Sequence, residues 1–272
     1  MFFYNRNVYT NNEMFKRFAV DRIAKLKAND PVGSGRYGSV FGGDTPGTVI
    51  KEIPTATSRG GMITYDTDTP KQRFANISDE VLKEANAQDV GYSLHMAPSV
   101  HSVDLSPEAG YITSQDLRPT HTSIEDYIKT NTGDGSGTLT FDKVKNARRI
   151  GKTIDLKTAQ QVGALALKGK FLEDRHEGNI LINKMTGRPS QIDFGIVHEL
   201  DQSQQAAVLS MANASGFQAA GLEDIGIILR DTVMDLLEGG QVAEAFDVAK
   251  QGFSRLQKIK EPVYINGVQE IF

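Results

Sequence analysis

Cysteine is absent from all 272 residues, which removes disulfides, thiolate metal sites and cysteine nucleophiles together. The absence fits a reducing cytosol and equally an exported protein without disulfides, so it fixes no compartment. No apolar run reaches the length of about 18 residues that a membrane-spanning helix needs. The five histidines are scattered without the spacing of a metal site. Excess positive charge is also missing: a net charge of −4 argues against an electrostatic nucleic-acid binder. There is no internal repeat, and the first residues, MFFYNRNVYTNNEMFKRF, lack the continuous apolar core of a secretory signal. A soluble protein is expected, cytoplasmic in its own cell or in a host's, with neither a nucleic-acid partner nor a membrane span. What is present, 39% hydrophobic and 24% charged residues, is an ordinary globular composition with length enough for one large domain or two lobes.

The most informative stretch is FLEDRHEGNILINKMTGRPSQIDFGIV, residues 171–197. Asp174 and Asn179 sit in one polar loop. A short apolar run follows (Ile180, Leu181, Ile182), then a turn at Thr186-Gly187, then Asp193 in an Ile-Asp-Phe-Gly sequence. This spacing predicts a loop and a two-stranded hairpin, with Asp174, Asn179 and Asp193 on one side of a cleft. Two carboxylates and an amide oxygen are hard ligands, suited to Mg²⁺ and phosphate rather than to zinc.

Upstream, Gly33-Ser34-Gly35-Arg-Tyr-Gly38-Ser-Val40 carries the pattern Gly-x-Gly-x-x-Gly-x-Val. Dinucleotide-binding folds share that spacing but run straight into a helix. Here Val40-Phe41 reads as a strand, residues 42–47 as turns, and Thr48 to Ile53 as another strand bearing Lys51. No Gly-Lys-Ser/Thr ending follows, so a P-loop is out. A helix is expected to start at Ser78 as N-cap, and Glu80 and Glu84 share one of its faces. Gly110 to Leu117 reads as a strand and connector, and Thr122 to Ile128 as a short helix. Gln160 to Lys170 reads as a helix leading into the polar loop. Two helical stripes come later: Leu222, Ile225, Leu229, Val233 and Leu236, then Val242, Phe246, Ala249, Phe253 and Leu256, divided by Gly239-Gly240. Residues 54–76 and 131–140 read as exposed loops, and Met14 to Lys27 as a packing helix. The basic cluster Lys143, Lys145, Arg148, Arg149 and Lys152 reads as a solvated face.

Glycine loop, strand lysine, acidic helix, connector, Asp/Asn loop and Asp-Phe-Gly, in this order over roughly residues 30 to 200, resemble the protein-kinase-like superfamily. The local form Asp174-Arg-His176-Glu-Gly178-Asn179 is similar to that of aminoglycoside and choline kinases. The resemblance implies an α+β, bilobal protein-kinase-like fold: an N-terminal extension with a helix (1–29), an N-lobe of small antiparallel sheet with one key helix (30–114), and a hinge with a mostly helical C-lobe (115–272). It implies ATP and Mg²⁺ as cofactors. Asp174 orients the acceptor hydroxyl or takes its proton, while Asn179 and Asp193 hold Mg²⁺. Lys51 neutralises the α- and β-phosphates, held by Glu84 in preference to Glu80. Gly33, Ser34, Gly35, Gly38 and Val40 cover the nucleotide, Ser114 lies behind the adenine, and backbone groups near Gln115 and Leu117 bond its edge. His176 either contacts phosphate or braces the loop.

Two departures qualify the resemblance. Leu172-Glu173 stand where typical protein kinases carry His-Arg, so activation by phosphorylating the segment after Asp-Phe-Gly is not expected. No Ala-Pro-Glu follows Gly195, and the 77 residues after it leave a reduced peptide-docking platform. The interval 117–173 is too short for the helices that small-molecule relatives insert there. The expected function is therefore ATP·Mg-dependent transfer by a compact atypical serine/threonine protein kinase of bacterial effector or bacteriophage type, with a protein substrate. The alternatives are a small-molecule kinase of aminoglycoside-phosphotransferase type and a non-catalytic kinase-fold virion or scaffold protein.

Overall fold

The computed structural model describes residues 30–35, 38–54, 70–105, 109–132 and 140–261. The expected helix Met14 to Lys27, the segments 55–69 and 133–139, and the tail after Glu261 lie outside these residues. The chain divides into two compact units, with boundaries in sequence at Asn86/Ala87, Pro98/Ser99 and Asp116/Leu117.

The first unit is built on an antiparallel sheet of β1 (Gly33–Gly35), β2 (Gly38–Gly42), β3 (Thr48–Pro54), β4 (Val100–Leu105) and β5 (Ala109–Gln115), in the order β1-β2-β3-β5-β4. The β-branched run Thr48-Val49-Ile50 suits the pleated surface, and Ile50 and Ile53 are buried. The turn into β3 closes through Gly43 N–H to the Thr48 carbonyl at 2.9 Å. Helix α1 (Pro70–Ser93) lays Val81 and Ala85 against Ile53 and Ile112. Helix and sheet approach so closely that a Cβ on Gly110 would lie 2.2 Å from Val81 Cγ2. The helix begins eight residues before the expected Ser78 cap, at Pro70, so residues 70–76 are helical rather than loop. Proline suits a first helical turn, where its missing N–H would have no partner and its fixed φ is already helical.

The second unit takes the end of α1 and the turn after it, residues 87–98. Their place in chain order put them in an N-lobe of 30–114. In the structure, Ala87 and Met96 share a core with Leu165, Leu172, Phe194 and Val197. Beyond β6 (His121–Thr122) come α2 (Ile124–Thr132), α3 (Phe141–Leu167), β7 (Lys170–Leu172), β8 (Ile180–Asn183), β9 (Pro189–Gln191) and β10 (Val197–Glu199). Three helices complete it: α4 (Gln202–Ala220), α5 (Glu223–Glu238) and α6 (Val242–Leu256). The segment expected as a helix over Gln160 to Lys170 is the last part of α3, which is capped at Thr140, carries the basic cluster along its first half and stops at Leu167. Lys170 opens a strand instead. The polar first half of α3 shows no apolar stripe, which is why periodicity misses it.

Helix α4 has no counterpart in the sequence reading, yet it is the centre of the helical core. Its sequence, QSQQAAVLSMANASGFQAA, is rich in small residues and buried on several sides, so no single stripe stands out. The small residues admit neighbours: a Cβ on Gly216 would meet Leu256 Cδ2 at 2.5 Å. Its ends are marked locally, by the Asp201/Gln204 capping box and by Gly221 at φ 88°. Of the two later stripes, Val233, Ala249, Phe253 and Leu256 are buried as expected, but Ile225 is exposed. Among the described residues the chain is α+β, with a small antiparallel sheet in one unit and mostly helices in the other, the class expected from the sequence. No helix among them is long and apolar enough to cross a membrane.

Candidate active site

In the first unit, the glycine pattern forms the hairpin β1–β2, with Gly33 opposite Val40, Ser34 opposite Ser39 and Gly35 opposite Gly38. Gly38 has φ 152°, a conformation that side chains disfavour. Val40 in turn pairs with Lys51 on β3. Lys51 Nζ lies 2.6 Å from Glu84 Oε1 on α1, with side-chain exposures of 13% and 6%. The acid that holds Lys51 is therefore Glu84, the choice that helical periodicity alone left open. Ser114 is buried near the end of β5, opposite Val49. The Gln115 N–H donates to the Ser99 carbonyl at 3.0 Å and the Asp116 N–H to the Gly47 carbonyl at 2.8 Å. The Gln115 N–H is therefore already used within the first unit.

In the second unit, Leu117 is buried and its carbonyl accepts from the His121 N–H at 2.8 Å. The strands β8 and β9 form the expected hairpin, Ile180 opposite Gln191. Its register brings Asn179 and Asp193 to the same end, because the Ile192 N–H donates to the Asn179 carbonyl at 3.0 Å. Asn179 Nδ2 donates to the Asp174 carbonyl at 3.1 Å, which folds the polar loop onto the hairpin. His176 accepts the Gly178 N–H on Nδ1 at 3.0 Å, capping the 3₁₀ turn Glu177–Asn179, and its Nε2 is 3.6 Å from Asp174 Oδ1. Bracing the loop is thus a role His176 performs by geometry. Asp193 Oδ1 accepts the Gly195 N–H at 2.9 Å, and Phe194 is buried against Leu165, Leu172 and Met96. The buried ring anchors the segment while the flanking carboxylate stays partly exposed.

The structure therefore gathers Lys51 with Glu84 in one unit, and Asp174, Asn179, His176 and Asp193 in the other. The second set suits Mg²⁺ by donor chemistry. With Nδ2 spent on the Asp174 carbonyl, Asn179 has its amide oxygen left as a hard ligand, and Asp193 supplies a carboxylate. No group of three or more His, Cys, Asp or Glu side chains with metal-like placement exists among the described residues. One or two protein oxygens are what a nucleotide-borne Mg²⁺ takes, the rest coming from phosphates and water.

Two features of the loop had no signal in the sequence. Glu173 Oε2 pairs with His198 Nε2 at 2.6 Å, joining the loop to β10. Arg175 turns inward, and burial lowers its pKa to about 10. Part of the residue remains accessible, but Nε and Nη1 are shut from solvent without a hydrogen-bond partner among the described residues. Only Nη2 is engaged, donating to Gln161 Oε1 at 3.4 Å. Spacing cannot announce either feature: one partner lies 25 positions away, and the other is an arginine in a polar run.

No protein-family model and no curated protein sequence matches the chain. Solved structures that it resembles include the co-crystal structure of WbdD and the kinase inhibitor LY294002, at a TM-score of 0.44 and 14% identity, covering 83% of this chain and 45% of that one. The chain thus spans less than half the length of that protein. A likeness this distant says nothing of activity.

Proposed function

We propose that the chain is an ATP·Mg-dependent phosphotransferase, in its simplest form a compact atypical serine/threonine protein kinase. The Lys51–Glu84 pair carries this reading. A lysine and a glutamate withdrawn from water are a poor way to stabilise a fold, because desolvation offsets most of their attraction. They are a good way to hold an ammonium ready for phosphate oxygens. In this reading the glycine hairpin β1–β2 lets backbone N–H groups approach the phosphates that Lys51 neutralises. Asp174, fixed through its own carbonyl by Asn179, takes the proton of the acceptor hydroxyl. That hydroxyl's oxygen bonds the γ-phosphorus as the bond to the β,γ-bridging oxygen breaks and ADP leaves. Asn179 and Asp193 would hold Mg²⁺, whose charge neutralises the phosphates. The Glu173–His198 pair stands where an arginine would receive an activating phosphate, so activity should not require phosphorylation after Asp-Phe-Gly.

Between Leu117 and Glu173, α2 and the long α3 are the only helices among the described residues, which favours a protein acceptor over an inserted small-molecule pocket. Transfer to a small-molecule hydroxyl is the second reading, favoured by the His176 cap on the Asp-x-His-x-Gly-Asn loop. The test is incubation with γ-³²P-ATP and cell lysate, with Lys51→Ala and Asp193→Ala as controls. Label on proteins that both variants abolish is the expected result. Label confined to small metabolites turns the reading to the second class, and ATP binding without turnover overturns it for a non-catalytic kinase-fold protein.

A further inference from the structure

The β8–β9 hairpin has two ends. One carries Asn179 and Asp193. Beside the other lies a cavity of about 360 Å³ whose ionisable lining is Lys157, Arg188 and His95, with no carboxylate among the described residues that form it. Lys157 projects from α3, Arg188 precedes β9, and His95 sits in the turn that ends α1. Burial lowers the Lys157 pKa, the Arg188 charge adds to the effect, and Glu261 partly offsets it. The half-buried Lys157 and the exposed Arg188 repel one another here, and an anion between them would relieve that repulsion. Lys157 gives two of its three N–H donors to the Thr186 and Gly187 carbonyls, at 3.1 and 3.4 Å, so its ammonium is held in place with one donor left.

Two further observations point into the same cavity. Gln161, part of its wall, donates to the Pro189 carbonyl at 2.6 Å and accepts from Arg175, so a third cation, buried and with two orphaned nitrogens, lies behind that wall. Its positive field adds to the cavity's because the intervening space is protein rather than water. His95 takes φ 57°, the only non-glycine residue with positive φ among the described residues. Helix ends of this kind usually place glycine there, because a side chain strains the backbone in this conformation. The penalty is tolerated where the side chain has a use.

We infer that this cavity binds a small phosphate monoester, with its phosphate joining Lys157 and Arg188 and His95 at the rim. A phosphate dianion matches the held ammonium of Lys157 and the exposed guanidinium of Arg188 and offers three acceptor oxygens, and the planar guanidinium suits bidentate contact. The volume exceeds that of phosphate alone and leaves room for a body of a few carbons against Leu94, Ala164 and Pro189. The four residues of β8 put this site about 13 Å along the hairpin from Asn179. It is therefore a second site, independent of the phosphotransfer reading.

Glycerol 3-phosphate, titrated into the full chain with glycerol as the neutral control, tests the assignment by calorimetry and by NMR of the His95 ring. Saturable binding with movement of the His95 signals, and none with glycerol, is expected. Arg188→Gln, which spares the backbone bonds of the hairpin, should weaken affinity by about tenfold or more. Lys51→Ala should leave it unchanged. The assignment is overturned by absence of saturation, by equal binding of glycerol, by an Arg188→Gln affinity equal to wild type, or by loss of binding in Lys51→Ala, which would put the phosphate at the nucleotide-binding residues.

Discussion

Lys51 Nζ and Glu84 Oε1 stand 2.6 Å apart, one on the third strand and the other between Val81 and Ala85, which pack α1 on the sheet. Neither side chain is well solvated, so each depends on the other. Glu84→Gln keeps the shape but removes the charge that positions Lys51, and phosphotransfer should fall by about 10²-fold. Glu84→Ala, by removing the carboxylate 2.6 Å from a poorly solvated ammonium, should also lower unfolding free energy by about 3 kcal/mol in urea titration. Lys51→Met combined with Glu84→Ala should be less destabilised than the sum of the single changes. Simple additivity would mean the pair is not coupled.

Gly163 on α3 admits the ring of Phe253 from α6: a Cβ there would lie 2.1 Å from Phe253 Cε2, and Phe253 is fully buried. Gly163→Ala should cost about 1–3 kcal/mol by overpacking. Trimming the opposing ring with Phe253→Leu should recover part of that loss in the double variant. Unchanged thermal stability of Gly163→Ala alone would show that the two helices can separate without penalty.

Among the described residues the buried guanidinium of Arg175 has no acidic partner that raises its pKa, and two of its nitrogens are orphaned. Replacing such a group by an apolar side chain of similar length removes a desolvation cost. Arg175→Met should raise the melting temperature, by an amount equivalent to about 1 kcal/mol or more. A fall in melting temperature would reveal that the guanidinium has a counter-ion in solution.

His121 bridges Thr120 Oγ1 at 2.8 Å and Ser190 Oγ at 3.2 Å, and its pKa is lowered, first by burial and then by the Lys184 charge. The Leu117 backbone acts in the opposite sense. The folded state therefore takes up a proton less readily than the unfolded one. Stability contributed by neutral His121 is present above the unfolded pKa of about 6.5 and is lost as pH falls from there towards the folded value. His121→Gln should flatten this part of the profile of melting temperature against pH. A wild-type profile that is flat between pH 7 and pH 5, about the range of imidazole titration, would contradict it.

The glycine hairpin, the β8–β9 hairpin and the last two helices were legible because each is encoded locally. Glycines and turn residues punctuate them, and apolar alternation or a 3.6-residue stripe fixes the face. Helix α4 was not legible in this way. Its small residues are buried on several sides, so no single apolar stripe stands out, although the Asp201-x-x-Gln204 box marked its start. The polar half of α3 failed for the opposite reason, having no buried face to show. Within the site, the relation of Asn179 to Asp193 follows from hairpin register and was readable. Helical periodicity did not separate Glu80 from Glu84, since both lie on one face; the family resemblance favoured Glu84, and the packing of α1 on the sheet pairs it with Lys51.

By itself the sequence determined the β8–β9 hairpin, the last two helices, the positions of Lys51, Asp174, Asn179 and Asp193 along the chain, and the absence of thiol chemistry. These are properties of neighbours in the chain. Tertiary structure alone decided that Glu84 holds Lys51 and that Glu173 meets His198. It also decided that Arg175 turns inward and that Lys157, Arg188 and His95 line one cavity. Each of these joins residues far apart in sequence, and charge and desolvation at such meetings depend on distance and burial that no local pattern encodes.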